Sequence, residues 1–173
     1  MSLSGQVLSR LLPQWHDAIW QLCEHTYLQQ PSFYVDQQDN HQLNVNLLLL
    51  AQCLDNADIE LSQAQWHSLI DAISNWDKQV LKPYRQARRQ AKKQLGKPQY
   101  QQMLTVELTL EHQCQRLITL QLDKLLTPDE HEQLREFSIN TNQLDQAKHL
   151  AKSQHNLQAY LACYQLAAED LTR

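Results

Sequence analysis

Glycine is the residue this sequence most conspicuously lacks: 2 of 173 positions, alongside 5 prolines, where average proteins carry roughly 7% glycine. Folds built from many tight turns draw on glycine for backbone with positive φ, so a β-rich architecture is disfavoured. With two glycines there is also no room for a P-loop, a G-x-G-x-x-G turn or a G-x-S-x-G elbow, and a phosphate cradle of backbone amides is not expected. Long apolar runs are missing too. The most apolar stretch, 45–54, is interrupted by Asn46 and Gln52 and falls far short of the ~20 residues that span a bilayer. No basic start followed by an apolar core suggests a signal peptide. The formal charge is −4, so general attraction to nucleic acid or to an anionic membrane is not expected. Four cysteines stand far apart, at 23, 53, 114 and 163. None forms a C-x-x-C pair, which fits reduced thiols and a cytoplasmic location.

What is abundant is Leu, Gln and Ala, all helix formers. Hydrophobic content of 42% against 20% charged residues predicts a folded core. The length suits one domain, so the expectation is a single helical domain over 1–173, with 1–12 as a poorly ordered N-terminal segment. Apolar spacing predicts a first helix over 13–29, on Trp15, Ile19, Leu22, Cys23 and Tyr27. A short helix is expected over 32–38, a polar connection at 39–42, and a helix over 44–56 whose Leu47–Ala51 run is apolar all round and therefore buried on most sides. Ser62 reads as the N-cap of a helix over 63–82. Pro83 restarts or kinks it. Gly96 reads as a C′ residue, followed by Pro98. A long helix is expected over 98–126, with its buried stripe on Met103, Val106, Leu110, Cys114, Leu117 and Leu125. Thr127-Pro128-Asp129-Glu130 opens the next helix, and 142–171 forms one long helix or two that break near 153–156. The fold class is all-α: a single-domain antiparallel helical bundle with two or more long C-terminal helices.

Eight histidines raise the question of a metal. Carboxylate-bridged bundles place a Glu three residues before a His on one helix face, and no acid occupies that position before any of the eight. At four residues only Asp145 precedes His149, and a lone pair of this kind marks a solvated helix face. With no His-x-x-x-His and no Cys-x-x-Cys, neither a metal nor another cofactor is expected. His16, His25 and His67 read as boundary residues, and His131 as part of an acidic helix start. The cysteines lie on apolar faces, where a thiol behaves as a small hydrophobe rather than a nucleophile.

One charge anomaly stands out. Lys78, Lys82, Arg85, Arg88, Arg89, Lys92, Lys93 and Lys97 fall within twenty residues that contain no acid, and the remainder of the chain holds 7 basic and 19 acidic residues, a formal −12. Lys78, Lys82, Arg85, Arg89 and Lys92 recur at helical spacing on one face, which predicts a continuous positive strip, exposed if it serves an anionic partner. Two readings compete: the strip neutralises acidic neighbours such as Glu107 and Glu111, or it binds an acidic or phosphate-bearing partner. Nucleic acid is disfavoured, because Tyr84 alone is interleaved for stacking and duplex binders are usually basic overall.

A second anomaly is Asn46, inside an otherwise apolar run. In a helix that starts at Asn44 it lies in the first turn and satisfies free backbone amides. Alternatively Asn46 and Arg85 share a polar contact with one of the tryptophans Trp20, Trp66 and Trp76.

Trp20, Tyr27, Pro31, Gln38-Asp39, Val45-Asn46-Leu47-Leu48-Leu49, Trp76 and Pro83-Tyr84-Arg85-Gln86-Ala87-Arg88, in that order, resemble an uncharacterised bacterial family that carries only a domain-of-unknown-function label. Its pattern is a tryptophan-bearing first helix, Pro-Gly-Val, Leu-Gln-Asp, Val-Asn-Leu-Leu, a tryptophan, and Pro-x-Arg-x-x-Arg. Glu107 and Glu111 resemble its later acidic helix. The resemblance covers about 15–111. Ser32-Phe33 stands in place of Gly-Val, Gln42 in place of a glycine, and Cys53 or Leu54 in place of a tryptophan. The resemblance implies no established enzyme activity.

Together these readings favour a non-enzymatic interaction or regulatory protein whose basic helix, with Lys78, Lys82, Arg85, Arg88, Arg89 and Lys92, contacts an acidic protein or a phosphate-bearing ligand. A homodimer is compatible with the sequence. The competing expectation is a small-molecule-binding or catalytic bundle with its pocket around Asn46, Trp20, Trp76 and Arg85.

Overall fold

A computed structural model of the chain describes residues 4–141 and 154–172, with side chains over 16–140 and 154–171. All regular structure among these residues is helical: α1 (Ser4–Gln29), α2 (Pro31–His41), α3 (Val45–Asn56), α4 (Gln63–Trp76), a π-helical turn (Asp77–Leu81), α5 (Lys82–Ala91), α6 (Lys97–Leu125), α7 (Pro128–Thr141), α8 (His155–Ala162) and a closing 3₁₀ turn (Ala168–Thr172). The all-α helical bundle with long helices toward its C-terminal side is thus what the chain forms. Its contacts cluster into two compact units, one from Met1–His67 with Leu125–Arg173 and one from Ser68–Lys124.

In the first unit α3 is the centre. Leu47, Leu48, Leu50, Ala51 and Leu54 are fully buried, because α1, α2 and α8 all pack against this helix. The cap of α3 is Asn44, whose side chain accepts from the Leu47 N–H at 3.2 Å. The Leu47 amide of the first turn is thus met by Asn44 rather than by Asn46. Asn44 is itself pinned by Tyr160 of α8, whose hydroxyl accepts from the Asn44 N–H at 3.0 Å and donates to its carbonyl at 3.2 Å.

Scarce glycine has a local consequence at the helix ends. Gln42, Asp58 and Gln165 adopt left-handed backbone at φ 59°, 54° and 58°, where glycine is usually found. At Asp58 and Gln165 the following amide reaches back into the helix, Ile59 to Leu54 and Leu166 to Leu161, both at 3.1 Å, which closes a Schellman motif. Gln42 caps α2, so α2 runs on to His41 through most of the stretch expected as a polar connection.

The second unit is an antiparallel helical hairpin of α4–α5 against α6. Ser68 bonds Gln121, Trp76 bonds Leu110, Tyr84 bonds Met103 and Arg88 bonds Tyr100: as one number rises the other falls. Ser62 and Gln65 form a reciprocal capping box at the start of α4, and Thr127 with Glu130 forms another at the start of α7.

Pro83 stands in the first turn of α5, as a restart there implies. A proline clashes with the carbonyl four residues back and offers no N–H, and here the preceding turn widens into a π-helix in which the Lys82 N–H reaches the Asp77 carbonyl. Gly96 is not the left-handed end of α5, since no glycine has positive φ. It is the residue before α6, and its carbonyl accepts from the Tyr100 N–H at 3.0 Å. α1 begins at Ser4 rather than near Pro13. Residues 1–3 of the segment expected to be poorly ordered lie outside the described residues, as do 142–153 of the expected C-terminal helix. A helix resumes at His155 but stops at Ala162.

Candidate functional site

The cationic run occupies the π turn, α5, the turn 92–96 and the first residue of α6. Its members split by direction. Arg85 is only 4% exposed: its Nε donates to Glu111 Oε1 at 3.1 Å, its Nη2 reaches the same oxygen, and its Nη1 lies 3.9 Å from Asp77 Oδ1. Lys82 joins the same carboxylate, Nζ to Asp77 Oδ2 at 3.3 Å. One turn on, Arg88 pairs with Glu107 through its Nε and donates to the Tyr100 hydroxyl at 2.6 Å. Burial opposes the charge on Arg88, but Glu107 and Tyr100 outweigh it and hold the guanidinium more firmly protonated than usual.

Of the apolar stripe expected on α6, Cys114 is buried and Met103, Leu110, Leu117 and Leu125 are half-buried, and only Val106 is exposed; Glu107 and Glu111 interrupt it. They take positions on its inward face, Val106 is turned to solvent, and burial is concentrated further along, at Cys114, Ile118 and Leu122. The continuous exposed strip is therefore corrected: Arg85 belongs to the interior of the hairpin and Arg88 is half-buried. Lys78, Arg89, Lys92, Lys93 and Lys97 are exposed. Lys92 lies over the Tyr100 ring, 5.8 Å from its centroid, with Arg88 at 5.9 Å, within cation–π range.

The residues expected to surround a pocket divide between the units. Asn46 is buried and Trp20 half-buried in the first; Trp76 is half-buried in the second, where its indole N–H donates to the Leu110 carbonyl at 3.0 Å, and Arg85 is engaged as above. Among the described residues no three His, Cys, Asp or Glu side chains gather as metal ligands would. The Asp145–His149 pair lies outside the described residues. No helix described is long and apolar enough to cross a membrane.

Sequence reasoning missed the polar cluster in the first unit. Asn156, fully buried at the start of α8, accepts from the Leu61 N–H (2.9 Å) and the Trp66 indole (3.3 Å), and donates to Asp55 (2.9 Å) and the Ile59 carbonyl (2.6 Å). The partners are about a hundred positions away, so no local spacing signals it.

Fold and charge together define an all-α protein whose helical hairpin neutralises Arg85 and Arg88 against its own acids and presents Lys78, Arg89, Lys92, Lys93 and Lys97 outside. The chain belongs to the family described as "Protein of unknown function (DUF2390)", whose model matches residues 18–118, more than half of the chain. No curated protein and no solved structure matches it.

Proposed function

We propose that the protein is a non-enzymatic interaction module of the bacterial cytoplasm, and that the outer side of α5 with the following turn holds an acidic or phosphate-bearing partner. The observation that carries this reading is the division of labour within the strip. Arg85, Arg88 and Lys82 balance Glu111, Glu107 and Asp77, whereas Lys78, Lys92, Lys93 and Lys97 form no ion pair among the described residues. Internal neutralisation thus accounts for three of the eight cations and leaves Lys78, Lys92, Lys93 and Lys97 without an acidic counterpart among the described residues, Lys92 lying over the Tyr100 ring instead. Lys97 sharpens the point. It opens α6, a helix with no acid in its first turn, where a cation opposes the helix dipole, so helix stability does not explain it.

The test is the double substitution Arg89→Gln with Lys92→Gln. Binding to a polyanion such as heparin or polyglutamate should weaken, and the wild type's binding should fall steeply with salt, because exposed charges are screened over ~10 Å at 0.1 M. The melting temperature should hold, since surface changes cost within about ±0.5 kcal/mol. Unchanged binding in the variant, or no polyanion binding by the wild type at low salt, overturns the reading.

A further inference from the structure

We infer that the turn between α5 and α6 takes an acidic polypeptide segment carrying an apolar side chain, with Leu95 as its anchor point; this inference rests on the interaction reading above. Within the turn, Leu95 is 37% exposed and is flanked by Lys92, Lys93 and Lys97. Its backbone is fixed, with the Leu95 and Gln94 amides both donating to the Ala91 carbonyl, at 3.0 and 2.8 Å. Single exposed leucines are ordinary on protein surfaces. This one sits amid a lysine cluster on an otherwise acidic chain, which gives a small apolar spot with a cationic rim, the layout of an anchor pocket's counterpart in protein–protein recognition.

Three features choose the polypeptide over other polyanions. The cationic surface is lysine-rich: of the three guanidinium groups of α5, those of Arg85 and Arg88 are engaged with Glu111 and Glu107, so two of the three planar bidentate groups best suited to phosphate are spent inside and Arg89 alone stays exposed. The aromatic side chains beside the strip are occupied too. Tyr84 donates to the Met103 carbonyl at 2.9 Å, and Tyr100 accepts from Arg88 beneath two cations, which leaves no stacking platform for bases. Finally, the rest of the chain is formally −12. A duplex or a membrane presents charge well beyond the turn and meets that repulsion, whereas a short acidic segment stays within about one Debye length, ~8 Å at physiological salt, of the lysines.

The experiment uses the full chain and two fluorescein-labelled peptides of roughly ten residues, one all glutamate and one with a central phenylalanine among glutamates. Anisotropy is read at about 50 and about 200 mM salt, with a short DNA duplex and phosphatidylserine vesicles as competitors. The phenylalanine peptide should bind at least roughly fivefold tighter than polyglutamate. Leu95→Ser should erase that difference while keeping the salt dependence, and Lys92→Gln with Lys93→Gln should weaken both peptides and flatten it. Equal binding of the two peptides, a difference that survives Leu95→Ser, or tighter binding of duplex or vesicles overturns the inference while leaving a cationic binding face in place. Absence of binding by every polyanion at low salt overturns the interaction reading itself.

Discussion

Asp55 and Asn156, 101 positions apart, meet at one buried oxygen: Asp55 Oδ1 accepts from the Asn156 backbone N–H at 2.7 Å and from its Nδ2 at 2.9 Å. Oδ2 of the same carboxylate accepts from the Leu157 N–H at 3.1 Å. α8 has no side-chain cap of its own, since Gln154 makes none, so its first amides are satisfied by an acid from α3. An eight-residue helix is too short to persist in water alone, and this capping is what places its Tyr160 on Asn44. Asn156→Ala should cost about 3–5 kcal/mol, because it leaves buried donors at Leu61 and Trp66 without their acceptor. Asp55→Ala should cost a similar amount, and the double variant should fall well short of the sum. Urea denaturation of the four proteins measures the coupling; additive losses would mean that the two residues act independently.

The same carboxyl predicts a pH dependence. Burial pushes the Asp55 carboxyl above its ordinary value, while the hydrogen bonds from Asn156 and Leu157 pull the other way; the net shift is upward. Between the ordinary value, ~3.9, and the raised one, the folded chain holds a proton that the unfolded chain has released. This group's contribution is therefore fully present below the ordinary value and is lost as pH rises through the folded one. Asp55→Asn cannot ionise and removes that slope, although it also loses an acceptor for α8. Unfolding free energies measured in steps from about pH 4 to about pH 7 should run flatter for the variant than for the wild type; parallel curves would rule the assignment out.

Thiol chemistry separates the cysteines. Cys23, Cys53 and Cys114 are buried and Cys163 is half-exposed. A hydrogen bond with Cys53, reinforced by burial, pushes the Cys23 thiol well above its usual value. Burial raises the Cys163 thiol as well, so a thiol-specific disulfide reagent should modify one cysteine ahead of the other three in the native protein, though more slowly than a free thiol, and Cys163→Ser should abolish that first phase. The raised Cys23 thiol stabilises the fold below its ordinary value, ~8.5, and this contribution is lost as pH rises through the folded value. Alkaline destabilisation should therefore be smaller in Cys23→Ala. Rapid reaction of two or more thiols at neutral pH would contradict the burial.

Gln42 sits at φ 59° and ψ 24°, at the position where the family resemblance implies a glycine. Left-handed backbone strains a side chain with a Cβ, whereas glycine enters it freely but loses more entropy on folding. The relief should win narrowly, with Gln42→Gly raising stability by about 0.5–1 kcal/mol, less whatever is lost from the Gln42 Nε2 bond to the Asp39 carbonyl at 3.2 Å. Thermal melts of the wild type, Gln42→Gly and Gln42→Ala decide it, because alanine loses the bond and keeps the strain.

Legibility followed the range of the interaction. Local devices were readable: the Ser62 cap, the Thr127-Pro128-Asp129-Glu130 start and the α6 span differ from expectation by a residue at most, because propensity, capping and proline geometry act within a turn. Gly96 misled because glycine serves both as C′ residue and as helix opener, and only φ distinguishes the two. The α6 stripe failed at Val106 alone, because apolar periodicity ignores carboxylates that find arginine partners, and the neighbouring Glu107 does so. The strip's charge was visible in sequence, but which cations turn inward was not, since that depends on the register of α5 against α6. The Asp55–Asn156 cluster was invisible for the same reason at greater distance.

That register can be tested at Arg85 against Arg89, four residues apart in one helix. Arg85 is buried and hydrogen-bonded to Glu111 with Asp77 nearby, whereas Arg89 is exposed and its Nε contacts the Arg85 carbonyl at 3.4 Å. Arg85→Gln takes the guanidinium away from Glu111 in a poorly solvated hairpin, while Asp77 keeps Lys82, and should cost about 3–5 kcal/mol. Arg89→Gln should stay within about ±0.5 kcal/mol. Glu111→Gln added to Arg85→Gln should recover part of the loss, because the stranded charge then disappears. Polyanion binding should show the opposite ranking, with Arg89→Gln weakening it and the Arg85→Gln, Glu111→Gln pair sparing it. If the two single substitutions destabilise equally, the strip is not divided between interior and surface, and the lysine-rich face loses the contrast on which its binding role rests.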